Sequence, residues 1–264
     1  MRISSHILAG FKNFEKAEKV ALSFSGCGFL GAYNFGAAKC IVEKSKDLMP
    51  KVVKIGGASA GSLVATILVL APEKIDDGLE TLYEMADDVH SMPFGAISSG
   101  YYLQNRLVKV IDRFLPLDIT KAQGKLHVSV TKLRSWENVM ISEFDSREHL
   151  ISILLASCYI PMYSLGYRGE APIINDEKYI DGGMSNNLPI FLDCPTITCS
   201  PFSSSADICP EDISNWNVTF GKQVFKASSQ NLYRGARALF PPSRLILKEY
   251  TQMGYDDADR FLNS

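Results

Sequence analysis

A chain of 264 residues, 46% hydrophobic and 21% charged, is long enough to enclose one large core and too balanced in composition to be disordered or fibrous. Lysine and arginine number 27 against 29 aspartates and glutamates, so the net charge is −2 and no basic excess points to nucleic acid. Six cysteines, at 27, 40, 158, 194, 199 and 209, show neither CxxC spacing nor the density of a secreted disulfide scaffold, which predicts free thiols in a reducing compartment.

The N-terminal MRISSHILAGFKNFEKAEK lacks the continuous apolar run of a signal peptide. Residues 19–25 are predicted as a strand, which leads into Gly26-x-Gly28-x-x-Gly31 and then a helix over 32–44. A short second strand over 52–55 meets Gly56-Gly57, and a buried helix follows over 60–70 before Pro72. The uncharged stretch 55–71 is the only candidate of membrane length. Its first half is mostly Gly, Ala and Ser, and it falls short of the roughly 18–20 residues of a span, so strand, turn and helix is the better reading.

A helix over 76–90 places Leu79, Leu82, Met85 and Val89 at spacings of three and four. Residues 92–100 read as a loop, and the stretch MPFGAISSGYYL, 92–103, offers a lid, an interfacial patch or a plain buried helix connection. Another helix is predicted over 102–114, a hairpin over 126–133 and 137–142, and a helix over 150–158 that ends near Pro161. One strand over 172–180 is broken by Asp181-Gly182-Gly183, a short strand follows at 197–199, and the last sixty or so residues read as loop and then helix, anchored at 232–239 and 258–262. Strands alternating with helices imply an α/β fold with a mostly parallel sheet and helices on both faces. No repeat or linker divides the chain, so one domain is expected over 1–264.

The chemistry centres on Gly57-Ala58-Ser59-Ala60-Gly61, a G-x-S-x-G nucleophile elbow. Small residues flank the serine because backbone crowds backbone in a sharp strand-to-helix turn. The helix that follows aims its amide dipoles at the hydroxyl. A serine hydroxyl needs a base. Of His6, His90, His127 and His149, none follows Asp181, and no local feature favours a triad through His127 or His149, although one stays open. Asp181, at a strand end before Gly182-Gly183, is the better candidate, because sites collect at strand ends in open parallel sheets.

The glycine-rich loop admits two anions, a dinucleotide phosphate or the oxyanion of an ester under attack. A dinucleotide site needs an acidic residue at the end of the second strand. Here that strand ends in Gly56-Gly57 and the Ser59 elbow, whereas Glu43 and Asp47 precede it. The loop is therefore expected to be an oxyanion hole, with amide donors from around Cys27 and Gly28.

These three pieces in this order, with Gly31 closing the first, resemble the patatin-like phospholipase family, and the resemblance covers the domain core at about 17–263. SGCGFLGAYNFGAAKC, ASCYIPMYS, SPFSSSADICPED, NLYRGARALFPP and GYDDADRFL are similar to its animal branch, which includes adiponutrin and adipose triglyceride lipase. The resemblance implies a three-layer α/β/α fold and an intracellular acyl hydrolase with a Ser-Asp dyad. Ser59 would be nucleophile, Asp181 base, and Gly26, Cys27 and Gly28 the lining of the oxyanion hole. Gly57, Gly61, Gly182 and Gly183 would support the motifs. It implies no metal and no cofactor. The substrates would be neutral glycerolipids, triacylglycerol foremost, or phospholipids. The protein would be cytoplasmic and peripheral on a lipid droplet or membrane, with a protein co-activator possible. Retinyl esters, lysophospholipids or acyl transfer on the same site are alternatives, as are a catalytically silent lipid-droplet module and an NAD(P)-dependent oxidoreductase. Leu30 stands where plant and bacterial members carry Arg or Lys, which weakens the case for anionic headgroups.

Overall fold

The apolar run at the start of the chain becomes β1 (Val20–Phe24), buried at every position, in a computed structural model that describes residues 14, 16–92, 103–161, 163–164 and 169–264. Most of the expected lid or interfacial patch, 93–102, and His6 lie outside the described residues. Full burial on both faces is what a central parallel strand requires. β1 lies between β2 (Val52–Ala58) and β7 (Thr196–Cys199), parallel to both, and β2 pairs in parallel with β3 (Leu126–Lys132). β4 (Asn138–Ile141) and β6 (Glu177–Asp181) pair antiparallel with β3, and β5 (Ile173–Ile174) pairs with β6. The order is β5-β6-β3-β2-β1-β7, a parallel centre with one antiparallel margin, flanked by helices in a three-layer α/β/α arrangement.

The register along β3 positions the site. β2 pairs with residues 126–129 of β3, β6 pairs with 130–132, and β4 pairs with 128–131. The overlaps put β4 on one edge of β3 and force β2 and β6 to share the other in tandem. One runs parallel to β3 and the other antiparallel, so their C-terminal ends meet. Ala58 pairs with Ser129 and Asp181 with Val130.

The helices are α1 (Gly31–Lys44), α2 (Ala60–Leu70), α3 (Ile75–His90), α4 (Leu103–Phe114), α5 (Arg147–Ser157), α6 (Ser229–Leu239) and α7 (Arg244–Leu262). α1 and α7 pack backbone to backbone, and the buried Tyr33 hydroxyl of α1 donates to Asp257 Oδ2 of α7 at 2.6 Å. The uncharged 55–71 stretch resolves into the end of β2, the elbow and α2, and no helix among the described residues is long and apolar enough to cross a membrane.

Three expectations need correction. The second strand does not stop at Ile55 but runs through both glycines to Ala58. Their missing side chains make room on opposite faces: a Cβ on Gly56 would stand 2.9 Å from the Phe191 ring, and one on Gly57 2.5 Å from the Gly61 carbonyl carbon. The single strand expected over 172–180 is a hairpin, β5-β6, turned by Asn175 and Asp176 at φ 49° and 63°. Asn and Asp tolerate that left-handed geometry, which suits a tight hairpin. The C-terminal loop contains a second hairpin, β8 (Asn217–Phe220) and β9 (Gln223–Lys226), turned at Gly221 and Lys222 with φ 52° and 62°.

Candidate active site

Ser59 occupies the junction of β2 and α2 at φ 51° and ψ −129°, a conformation that costs an ordinary residue roughly 1–3 kcal/mol. The surrounding structure holds it there. The Ser59 amide donates to Ser157 Oγ at 2.9 Å, Ser157 Oγ donates to the Ser129 carbonyl at 2.8 Å, and Ser62 Oγ donates to the Ser59 carbonyl at 2.7 Å. Gly57 and Gly61 touch across the turn, and a Cβ on Gly61 would overlap the Phe24 carbonyl. The elbow is thus clamped to β1, to β3 and to the end of α5.

Asp181 ends β6 directly opposite. Its carboxylate accepts the Gly183 amide at Oδ1 at 2.7 Å, and the Ser59 hydroxyl is near enough to stabilise the charged form. Its backbone is fixed as well, by the Asp181 amide donating to the Tyr159 carbonyl and by Thr131 Oγ1 donating to the Asp181 carbonyl, both at 2.8 Å. The residue is 5% exposed, and burial pushes its pKa from 3.8 up to about 6 while the Ser59 hydroxyl and the Gly183 amide pull it down. Gly182 fits because any Cβ there would overlap the Ser129 carbonyl.

The first glycine turn lies beside Ser59. A Cβ on Gly26 would stand 3.2 Å from Ser59 Cβ. The Gly26 amide donates to the Asn187 carbonyl at 3.2 Å, so Gly26 lines the site without offering a donor. The amides of Cys27, Gly28 and Phe29 donate to no other described residue, and Gly28 adopts φ 53°. Residues 28–30 form a 3-10 turn that feeds α1, and Gly31 at the start of α1 approaches Ala60 at the start of α2, where a Cβ would stand 3.3 Å from Ala60 Cβ. Two helix N-termini therefore converge on one spot, a favourable field for developing negative charge.

Two cysteines adjoin the site. Cys27 Sγ accepts from Asn34 Nδ2 at 3.4 Å, and Cys158 lies beside Ser59 in the wall of the cavity. Burial, with Asp181 adding to it, holds both thiols far above the ordinary range, so neither is a reactive thiolate. All six cysteines are free. A cavity opens beside Ser59, lined by Gly28, Phe29, Ala60, Leu63 and Cys158, and continues between α1, α2, α3 and α4 with almost entirely apolar walls.

The histidines take no part among the described residues. His127 packs edge-on against Phe191 with ring centroids 4.9 Å apart, and His149 contacts Asp145 at the start of α5. No cluster of potential metal ligands occurs among the described residues. The sequence reading missed Ser157 and Asn187. Asn187 is 6% exposed; its carbonyl takes the Gly26 amide, and its Oδ1 lies 2.7 Å from where a Cβ would sit on either Gly26 or Gly183.

Comparison with known proteins agrees with this arrangement of motifs. The family described as "Patatin-like phospholipase" matches residues 22–192. The chain is 41% identical over 250 residues to human "Patatin-like phospholipase domain-containing protein 4", covering 92% of this chain and 96% of that protein. It is 37% identical to rat "Patatin-like phospholipase domain-containing protein 2" over 94% of this chain and 52% of that protein. It is 35% identical to human "1-acylglycerol-3-phosphate O-acyltransferase PNPLA3" over 92% of this chain and 50% of that protein. The chain thus spans nearly all of the first relative and about half of the other two.

Proposed function

The chain belongs to the patatin-like phospholipase family, in its adiponutrin and adipose triglyceride lipase branch, and from that premise we propose that it is a serine acylhydrolase cleaving acyl esters of glycerolipids, triacylglycerol foremost. The observation that carries the reading is the buried Asp181 carboxylate facing the strained Ser59 elbow, with the Ser59 hydroxyl near enough to hold the carboxylate pKa down. An aspartate raised to about 6 is a stronger base than one in water, and a base near the working pH is the efficient one.

In the acylation step, Ser59 Oγ attacks the ester carbonyl as its proton passes to Asp181, and the carbonyl oxygen takes the negative charge. The amides of Cys27, Gly28 and Phe29, with the N-terminal dipoles of α1 and α2, stabilise that oxyanion. Asp181, now a neutral acid, returns the proton to the leaving alkoxide, and the glyceride alcohol departs. Water then attacks the acyl-serine, with Asp181 again the base, and the fatty acid is released. No metal or cofactor is required by this sequence of steps.

Substrate would be met at a lipid droplet or membrane surface by peripheral contact, with a co-activator protein as a further partner. The apolar cavity walls beside Ser59 favour a second outcome at the same acyl-enzyme, in which a lipid alcohol replaces water, as the name of the human acyltransferase relative suggests for that protein. Radiolabelled triacylglycerol, phospholipid and retinyl ester, presented as droplets and as micelles to wild type, Ser59→Ala and Asp181→Asn, test the proposal. Both variants should lose several orders of magnitude in turnover while remaining folded. Full activity in Ser59→Ala refutes the nucleophile, and near-normal activity in Asp181→Asn refutes the base.

A further inference from the structure

We infer that the cavity leading away from Ser59 is a fatty-acyl channel whose depth, and therefore the chain length the enzyme prefers, is set by Gly78 together with Ile67 and Phe35; this rests on Ser59 being the acyl acceptor. The direction of the cavity follows from its walls. At one end are Ser59, Ala60 and Gly31, with Leu82 of α3 3.9 Å from where a Gly31 Cβ would sit. One helical turn back along α3, at Gly78, the neighbours are Ile67 of α2 and Phe35 of α1. From Ser59 to Ile67 is eight residues along α2, a run of about 12 Å at the helical rise. The channel therefore descends between α1, α2 and α3, with Leu107 and Val110 of α4 closing its side.

Its chemistry admits one class of occupant. Beyond the serine the walls are apolar side chains and glycine, so a polar headgroup there would lose its hydrogen bonds to water without replacement, whereas each buried methylene is favourable. An acyl group bonded to Ser59 Oγ has its chain at the mouth of this space.

Gly78 is the unusual member of the floor. It is buried in the interior of α3, where glycine destabilises a helix relative to alanine. A Cβ there would stand 2.6 Å from Ile67 Cδ1 and 3.1 Å from the Phe35 ring. The nearest atom is the tip of a flexible side chain that itself lines the cavity, so a methyl at 78 displaces Ile67 into the channel rather than breaking the fold. The helix tolerates a glycine at the point where a side chain would shorten the channel.

The experiment measures kcat/KM on butyryl, octanoyl, lauroyl and palmitoyl p-nitrophenyl esters for wild type, Gly78→Ala and Ile67→Ala. Gly78→Ala should lower the palmitoyl-to-butyryl ratio by about tenfold, the effect of two expelled methylenes, and Ile67→Ala should raise it. Ratios unchanged in both folded variants, or moved in the same direction, overturn the channel. If either variant fails to fold, the other decides alone, and Phe35→Leu supplies a third reading with the sign of Ile67→Ala. Displacement of a fluorescent fatty acid from Ser59→Ala, with and without Gly78→Ala, separates this proposal from the catalytic one. Weaker binding with Gly78→Ala supports the channel even where Ser59→Ala keeps esterase activity, and equal binding sinks the channel while leaving the nucleophile standing.

Discussion

Ser157, the last residue of α5, accepts the Ser59 amide at Oγ at 2.9 Å and donates its own hydroxyl to the Ser129 carbonyl at 2.8 Å, so one buried hydroxyl locks the strained elbow to β3. Ser157→Ala leaves a buried amide without a partner, at about 1–3 kcal/mol. For a chain of this size that corresponds to a fall in Tm of several degrees. The nucleophile would also be held less firmly, so kcat and the rate of fluorophosphonate labelling should drop together by about tenfold. A thermal melt and a labelling time course check this, and unchanged values in both would remove Ser157 from the positioning shell.

The state of Asp181 gives the activity a pH signature. In the proposed mechanism the carboxylate must be ionised to accept the serine proton, so kcat/KM should rise through about pH 6 and level above it, where an aspartate at its ordinary 3.8 would already be saturated. For stability the sign is reversed. The folded pKa lies above the unfolded one, so the fold binds the proton more tightly than the unfolded chain between 3.8 and about 6, and stability falls as pH rises through that window. Asp181→Asn should therefore raise the unfolding free energy relative to wild type at pH 8 by more than at pH 4, the difference amounting to at most ~3 kcal/mol. Chemical denaturation at the two pH values measures it, and equal effects would mean that burial does not strain the carboxylate.

Gly28 combines φ 53° with a position where any Cβ would overlap the Ala238 carbonyl near the end of α6. Gly28→Val must flatten the turn or push α6 away, and either shift moves the amides of 27–29 relative to Ser59. The loss of a well-placed oxyanion donor is worth on the order of 10²–10³ in kcat. The check is kcat on a short ester together with the melting temperature, and a well-folded variant of normal kcat would exclude the turn from oxyanion binding.

Each part of the site that was legible in the sequence is governed by local sterics. Gly57 and Gly61 bracket Ser59 because backbone touches backbone there, and Asp181-Gly182-Gly183 marks a strand end for the same reason. Most helices were legible from spacing, and α5 begins earlier than its apolar pattern because the Ser146 side chain caps it, accepting the His149 amide at 3.1 Å. The meeting of β2 and β6 was not legible, since it depends on β3 dividing one edge between them. Ser157 and Asn187 are ordinary polar residues whose roles come only from what folds against them. β8 escaped notice because all four of its residues are exposed, so no buried face imposes alternation on the sequence.

That overlooked hairpin supports the last prediction. The Asn187 amide donates to the Gly221 carbonyl in its turn at 2.7 Å, and Asn187 Nδ2 donates to Gln223 Oε1 of β9 at 2.6 Å. Gln223 Nε2 donates to Ser200 Oγ at 2.9 Å, and Ser25 Oγ donates to the same oxygen at 3.2 Å, just before the glycine turn. Asn187 itself packs between Gly26 and Gly183, so the hairpin braces both the first glycine turn and the Asp181 turn. Gln223→Leu keeps the volume but strands the buried Asn187 amide, at about 1–3 kcal/mol. If the brace matters for catalysis, kcat should fall more than the loss of stability alone requires, and the rise in activity near pH 6 should shift as Asp181 loses its fixed surroundings. Activity measured well below the variant's own Tm isolates that effect. A variant that melts earlier yet keeps wild-type kcat and pH profile would make the hairpin a stabilising strut with no part in the chemistry.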